Sequence, residues 1–372
     1  MRIGIDARMY RESGIGRYTR NLIEHLQNLD KINEYFILLK KDDYNSLKLQ
    51  NNLHKVLADF GWYGISEQIK LPIILRKLNL DLVHFPHFNV PIFYRDKFVV
   101  TIHDLIHQHF QMNRATTLNP VTYKMKQLGY NKTFKNAVSK SEKILVPSDY
   151  IKDLLIKEWQ INESRIIVTS EAVEDKFITI VGKMSKDKSE LILEKFKINS
   201  PYLFYVGNAH PHKNVESLIK TFLNLKEKYP NLTLVLSGGD HYFWQRLKSE
   251  YNQESIIYTG FVTDEELIAL YKKAEMFVMP SFEEGFGIPL LEAMANKCPV
   301  VSSNAGSLPE VGGNACVYFD PKDLEDMEKK IVEILANKRL RKHLIFKGNR
   351  RYKEFSWKKL AKQTLEVYRS CV

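Results

Sequence analysis

Short apolar runs recur along the chain, separated by longer stretches whose apolar residues fall three and four apart. RIGIDA reads as a buried strand, and GRYTRNLIEHLQNL after it sets Tyr18, Leu22, Leu26 and Leu29 at helical spacing. YFILLK, DLVHFP, KFVVTIHD and KILVPS read as further buried strands. SDYIKDLLIKEW follows the last as a helix capped by Ser148 or Asp149. The charged stretch Val181 to Glu190 interrupts this pattern and reads as the connection between two domains. The alternation then restarts with the strands YLFYVGN, LTLVLSGG, SIIYTGF, MFVMPS and PVVSSN, with helical patterns between them. Strand–helix alternation predicts parallel sheets covered on both faces. The expected fold class is α/β, with two Rossmann-like, doubly wound domains in tandem. The expected boundaries are 1–180 for the first domain, 198–355 for the second, and 356–372 for a C-terminal helix.

A length of 372 residues suits two domains, each with its own core. A hydrophobic fraction of 44% and a charged fraction of 27% are ordinary for a globular chain. No stretch approaches a membrane span, and MRIGIDARMY leaves no room for a signal-peptide core. The three cysteines, Cys298, Cys316 and Cys371, fit neither a zinc site nor a disulfide framework, so a cytoplasmic protein is expected.

The net charge is +11 and unevenly spread. Leu105 to Ser141 holds Arg114, Lys124, Lys126, Lys132, Lys135 and Lys140 without one acid, interleaved with Phe110, Met112, Tyr123, Met125, Tyr130 and Phe134. Lys338 to Lys362 is also basic. Such patches favour an anionic partner, or form a solvated face. The mixed composition of the first patch suits an interfacial helix on an anionic membrane surface. Its bases do not follow a nucleic-acid reading motif, so nucleic acid is not expected as a partner.

The densest chemistry lies in PSFEEGFGIPLLEAMANKCPV. A strand runs into a glycine-rich turn and then a helix start, where Pro289 loses nothing by lacking an N–H. The free amides of that helix start, with Gly287 allowing close approach, suit a phosphate. Glu292, about one turn into the helix, suits neutral hydroxyls such as those of ribose, or else stabilises the helix dipole. Glu284 precedes the turn and reaches the other side of the phosphate; Glu283 reads as a solvated acid. Lys213, at a helix start past the Gly207 turn, supplies a cation for a diphosphate. His210 and His212 have no third ligand at metal spacing, so no metal is expected. Together these residues describe a nucleotide-sugar site. His103 ends a strand, either as a cleft residue or as a core histidine paired with its neighbour Asp104; His107 and His109 are weaker candidates. Gly14-Ile15-Gly16 fails the dinucleotide fingerprint because Thr19 stands where its third glycine belongs, and reads instead as a loop whose amides reach a diphosphate.

FEEGFGIPLLEAMA, YVGNAHPHKN and AGSLPEVGGNACVYFDP resemble the retaining GT-B glycosyltransferases of family 4, the glycosyl transferases group 1. IGIDARMYRESGIGRYTRNL resembles that family's mannosyltransferase-like branch, and the resemblance extends to FSWKKLAKQTLEVY. It implies two domains facing across a cleft, with the C-terminal helix returning to the first. It also implies that Glu292 holds ribose, that Glu284 and His103 contact the donor hexose, and that Lys213 binds the diphosphate with the amides of Phe286 and Gly287. The family commonly places an arginine where this chain has Asn208; Arg17, beside Gly14 and Gly16, would supply that charge. No metal cofactor is implied. The implied reaction transfers a hexose, with mannose from GDP-mannose favoured over a UDP-hexose, to a lipid-linked or growing saccharide in cell-surface polysaccharide synthesis. Retention would come from front-side attack, with the departing diphosphate taking the acceptor's proton. Competing readings are a GT-B sugar-nucleotide epimerase, an NAD-dependent oxidoreductase and a nucleic-acid binding module.

Overall fold

The computed structural model describes residues 1–50, 52–110, 120–199 and 201–372, and their side chains except those of 120–127. The chain divides into two compact units, Met1–Glu171 with Trp357–Val372, and Ala172–Ser356. Among the described residues the N-terminal unit has seven strands: β1 (Arg2–Asp6), β2 (Glu34–Leu39), β3 (Leu53–Leu57), β4 (Leu82–Phe85), β5 (Phe98–Thr101), β6 (Lys143–Val146) and β7 (Ile166–Val168). They pair in parallel in the order β3-β2-β1-β4-β5-β6-β7. The C-terminal unit has β8 (Tyr202–Val206), β9 (Thr233–Ser237), β10 (Ile256–Gly260), β11 (Met276–Met279), β12 (Val300–Ser303) and β13 (Cys316–Phe319). Their order is β10-β9-β8-β11-β12-β13, again parallel.

Each sheet therefore winds one way from its first strand and then reverses, between β1 and β4 in one unit and between β8 and β11 in the other. Ligands of such sheets bind beyond the carboxyl ends of the strands at that reversal. The expected doubly wound α/β class holds for both units. Central strands are buried on both faces, which is why they read as continuous apolar runs. The N-terminal core gathers Val83, Phe85, Val100, Phe134 and Ile144; the C-terminal core gathers Phe204, Val235, Phe277, Leu290 and Met294.

Two local expectations change. Val181 to Glu190 is not a connection: it spans the end of helix Asp175–Lys183 and the start of helix Lys186–Lys195, both in the C-terminal unit. The charges that suggested a linker are the exposed faces of these helices, and Ser185 caps the second by accepting from the Lys188 amide at 3.1 Å. Gly14-Ile15-Gly16 is not a loop but the first turn of helix Gly14–Leu29. A side chain at Gly16 would stand 2.5 Å from the Tyr10 carbonyl, so the missing Cβ lets the helix start pack onto the preceding chain.

Helix Trp357–Cys371 packs along helix Gly14–Leu29, with Trp357, Leu360, Leu365 and Tyr368 buried. The Tyr368 hydroxyl lies 2.6 Å from His84 Nδ1, and His84 Nε2 lies 2.8 Å from Thr101 Oγ1. Thr101 in turn donates to the Tyr18 hydroxyl at 3.1 Å. Burial, helped by nearby His103, pushes His84 down to about 3, so the ring is neutral and Nδ1 accepts from the tyrosine.

Of the basic–aromatic segment, Arg114 and Met112 lie outside the described residues, as do the side chains of Tyr123, Lys124, Met125 and Lys126. Helix Pro120–Lys140 buries Phe134 against the core and exposes Lys132, Lys135 and Lys140. Among the described residues no helix is long and apolar enough to cross a membrane.

Candidate active site

The C-terminal unit assembles its candidate residues where its strand order reverses. After β8 the chain passes Gly207 and Asn208 into a short 3-10 turn, Pro211–Lys213. After β11 it passes Ser281 to Gly287 into helix Ile288–Ala295. The two loops are tied together: the Phe282 amide donates to the His212 carbonyl at 2.7 Å, and Asn214 Nδ2 donates to the Pro280 carbonyl at 3.0 Å. Asn214 adopts a left-handed conformation (φ 54°), a region asparagine tolerates better than most residues.

This tie brings together two residues that stand 71 apart in sequence. Lys213 Nζ donates to both oxygens of Glu284 at 2.7 Å, and Ser281 Oγ donates to Oε1 at 2.6 Å. The side chains of Lys213 and Glu284 are 17% and 9% exposed, so the pair is largely withdrawn from water. An ammonium has three N–H donors. Two serve Glu284, which leaves geometry for one more acceptor and fixes where the positive charge sits. The Glu284 backbone is anchored as well: Ser307 Oγ donates to the carbonyls of Glu284 at 3.0 Å and Phe286 at 2.9 Å.

Gly287 caps helix Ile288–Ala295 at φ 101°, and a Cβ there would stand 2.7 Å from Leu308 Cδ2. Only glycine fits both demands. Pro289 is the second helical residue, one place later than expected, and still lies in the first turn where its missing N–H costs nothing. The Phe286 side chain turns into the core, edge-on to Phe355 at 5.5 Å, leaving its backbone as the part that lines the helix start. Glu292 is buried at 3% exposure and accepts from the Tyr271 hydroxyl at 3.2 Å. Glu283 is also buried, not the solvated acid its position suggests. Gly207 turns the chain at the end of β8, its amide bonded to the Ser237 carbonyl at 3.0 Å; Asn208 accepts from the His210 amide at 3.2 Å. The rings of His210 and His212 stack with centroids 5.9 Å apart. Among the described residues no group of three or more His, Cys, Asp or Glu is placed to hold a metal ion.

In the N-terminal unit His103 lies just past β5, with the Tyr18 ring edge-on at 4.8 Å. Its Nδ1 is 3.0 Å from Glu171 Oε1 and its Nε2 is 3.0 Å from the Pro86 carbonyl. Burial works against its charge, but the Glu171 carboxylate, the Pro86 carbonyl and Asp104 outweigh burial and raise its pKa above the ordinary value. Both neighbours accept, so both ring nitrogens carry protons as donors. Its partner is thus Glu171, 68 residues on, rather than the adjacent Asp104, whose carboxylate accepts from the Ile106 amide at 3.1 Å. Arg17 is half-buried in the first turn of helix Gly14–Leu29, with exposed Gly14 ahead of it. His109 pairs with Glu158 at 3.0 Å, and exposed His107 lies edge-on to Tyr130.

The sequence reading missed Glu171, Ser281 and Ser307. Ser307 lies in AGSLPEVGG, a stretch whose motif character was visible, but its task, holding the Glu284 loop, requires a contact across 23 residues. Glu171 carried no local signal.

Two doubly wound parallel sheets, each with polar groups where its strand order reverses, define a two-unit α/β protein of the kind that binds ligands at its strand ends. Residues 13–177 match the model of Glycosyltransferase Family 4, and residues 173–351 match that of Glycosyl transferases group 1. The chain belongs to this family: it is an enzyme, a glycosyltransferase of the GT-B class. O-antigen chain mannosyltransferase B of Escherichia coli is 29% identical over 97% of each chain. O-antigen chain mannosyltransferase RfbU of Salmonella typhimurium is 28% identical, over 75% of this chain and 71% of its own length. A solved glycosyltransferase from Rickettsia africae shares the fold, with a TM-score of 0.74 and 19% identity, covering 100% of this chain and 98% of that one.

Proposed function

We propose that the chain transfers mannose from GDP-mannose, with retention of anomeric configuration and without a metal, to a lipid-linked or growing saccharide in cell-surface polysaccharide synthesis. The observation that carries this reading is the Lys213–Glu284 pair, fixed at the strand reversal of the C-terminal sheet beside a glycine-capped helix start. The choice of mannose rests on the two O-antigen mannosyltransferases, which are similar along most of their length.

In this reading Lys213 and the amides at Phe286 and Gly287 hold the donor diphosphate, with Glu292 taking ribose hydroxyls. Glu284 has two tasks, orienting Lys213 and accepting from the hexose. From the N-terminal unit, His103 is assigned to the hexose and Arg17 to the charge that Asn208 does not supply. The bond from the sugar's anomeric carbon to the diphosphate breaks as the acceptor oxygen bonds to the same face. The acceptor's proton passes to the departing diphosphate oxygen. The chain contributes positioning and electrostatic stabilisation of that leaving group. The exposed lysines of helix Pro120–Lys140 are assigned to an anionic membrane surface, consistent with a peripheral enzyme on the cytoplasmic face.

Nucleotide release measured across GDP- and UDP-sugars tests the donor. GDP-mannose is expected to turn over fastest, undiminished by EDTA; a faster UDP-hexose overturns the mannose reading, and release from no donor overturns the site. Sedimentation with anionic but not neutral liposomes is expected, and binding to neither rejects docking.

A further inference from the structure

Three strand ends of the N-terminal unit meet on one ring. Pro86 follows β4, His103 follows β5, and Glu171 follows β7, two strands further along the sheet. His103 Nδ1 lies 3.0 Å from Glu171 Oε1, and Nε2 lies 3.0 Å from the Pro86 carbonyl. Both partners only accept, so this pair of bonds requires both ring protons. The Tyr18 ring stands edge-on at 4.8 Å and limits tilting of the imidazole. The side chains of His103 and Glu171 are 16% and 11% exposed, so the ring is largely withdrawn from water yet keeps part of its surface open.

The titratable groups around the ring are Tyr18 from helix Gly14–Leu29, His84 from β4, His87 from the chain after it, the adjacent Asp104, and Glu171. Burial keeps Tyr18 protonated and both of these histidines neutral. Asp104 acts on the ring only through space, its Oδ1 accepting from the Ile106 amide. Glu171 is the carboxylate bonded to the ring. A hydrogen bond to a charged acceptor is roughly twice as strong as one to a neutral acceptor. When the ring holds one proton, Nδ1 therefore keeps it, and Nε2 presents a lone pair to the Pro86 carbonyl. When the ring holds two, Nε2–H is a donor whose acceptor is the weaker of the pair.

We infer that Glu171 is a positioning residue for sugar transfer: it fixes Nδ1–H of His103 and so makes Nε2–H the donor that a hexose hydroxyl can take. The Pro86 carbonyl holds that proton until the hydroxyl replaces it. The inference rests on the proposed function for the hexose contact; the pairing of the two side chains does not. Burial lowers the His103 pKa, but Glu171, the Pro86 carbonyl and Asp104 raise it further, and donation is lost as pH rises through the resulting value.

Nitrogen-15 NMR titration of the imidazoles in the full chain, with His103 assigned by its loss in His103→Gln, reads the charge without substrate. At about pH 6.5 both His103 nitrogens are expected to carry protons. In Glu171→Gln the proton affinity of the ring is expected to fall at least about ten-fold. Nucleotide release at about pH 6.5 is expected to fall about ten-fold in the same variant, the difference between a charged and a neutral donor. Its alkaline decline is expected to leave the wild-type pH range. Glu171→Asp, which keeps the carboxylate, is expected to recover part of both losses. In a His103→Gln background, Glu171→Gln is expected to change release by less than about two-fold, which a merely structural role would not produce. A singly protonated wild-type ring at that pH, wild-type release in Glu171→Gln, or an undiminished effect in the His103→Gln background overturns the inference. The wild-type titration decides even where the variants melt early. Wild-type release in His103→Gln overturns the inference and spares the Lys213 site. Release from no donor by the wild-type protein overturns the proposed function and the inference with it.

Discussion

The two units share a topology but equip it differently. The C-terminal unit places its chemistry on two loops, 207–213 and 280–287, joined by backbone bonds and closed by the Lys213–Glu284 pair. The N-terminal unit draws on residues from 6 to 368 and relies on histidines, each held by a different partner: His84 by Tyr368, His87 by Asn89, His103 by Glu171. The contrast follows from what each must hold. A fixed charge can be set by one loop tie. A neutral or doubly protonated ring needs acceptors and donors placed on several elements. Of these three rings only His103 has its pKa raised above the ordinary histidine value; burial holds His84 and His87 neutral.

The largest break of this comparison removes residues 356–372. Trp357, Leu360, Leu365 and Tyr368 are buried, and each contributes about 1.5–3 kcal/mol by burial. Their sum approaches a whole domain's stability of about 5–15 kcal/mol. The truncated chain is expected to lose the N-terminal unit's cooperative unfolding transition in urea; an unchanged transition would show that the returning helix is dispensable.

Next in size is the ion pair. Glu284→Ala and Lys213→Ala are each expected to lower turnover at least ~100-fold. Each also leaves a largely buried charge alone, at about 3–5 kcal/mol of stability. The double variant is expected to regain part of that stability while staying inactive, read by urea midpoints and nucleotide release. Near-normal turnover in both single variants removes the pair from the site.

The smallest effect is the pH dependence. His103 has a raised pKa, so its stabilisation is complete below the ordinary histidine value of about 6.5 and is lost as pH rises through the raised one. His84 and His87 are held neutral with pKa values near 3, so their contribution is present above about 6.5 and is lost as pH falls below it. Stability of the N-terminal unit is therefore expected to peak near neutrality. His103→Gln should flatten the alkaline side only. A decline there that survives this variant would reassign it.

The strands missed in the sequence teach something specific. β3, β7 and β13 escaped, and all three are edges of their sheets. Edge strands are short or half-exposed, as in LHKVL and IIV, so they lack the continuous apolar run that marks a strand buried on both faces. The motif residues of the C-terminal unit were legible because one turn and one helix start carry them in order. Glu171 was not, because nothing local to it differs from an ordinary surface acid.

The sequence by itself determined the fold class, the restart of the alternation in the second half, and the residue types of the candidate donor site. These depend on periodicity and on turn chemistry, which act over a few residues. Only the tertiary structure decided that Lys213 faces Glu284, that His103 pairs with Glu171, that Arg8 is buried between Asp6 and Glu67, and that the last helix completes the first unit. Those pairings join residues up to 284 apart. Chain entropy leaves such contacts unspecified until the packed core fixes which strand ends meet.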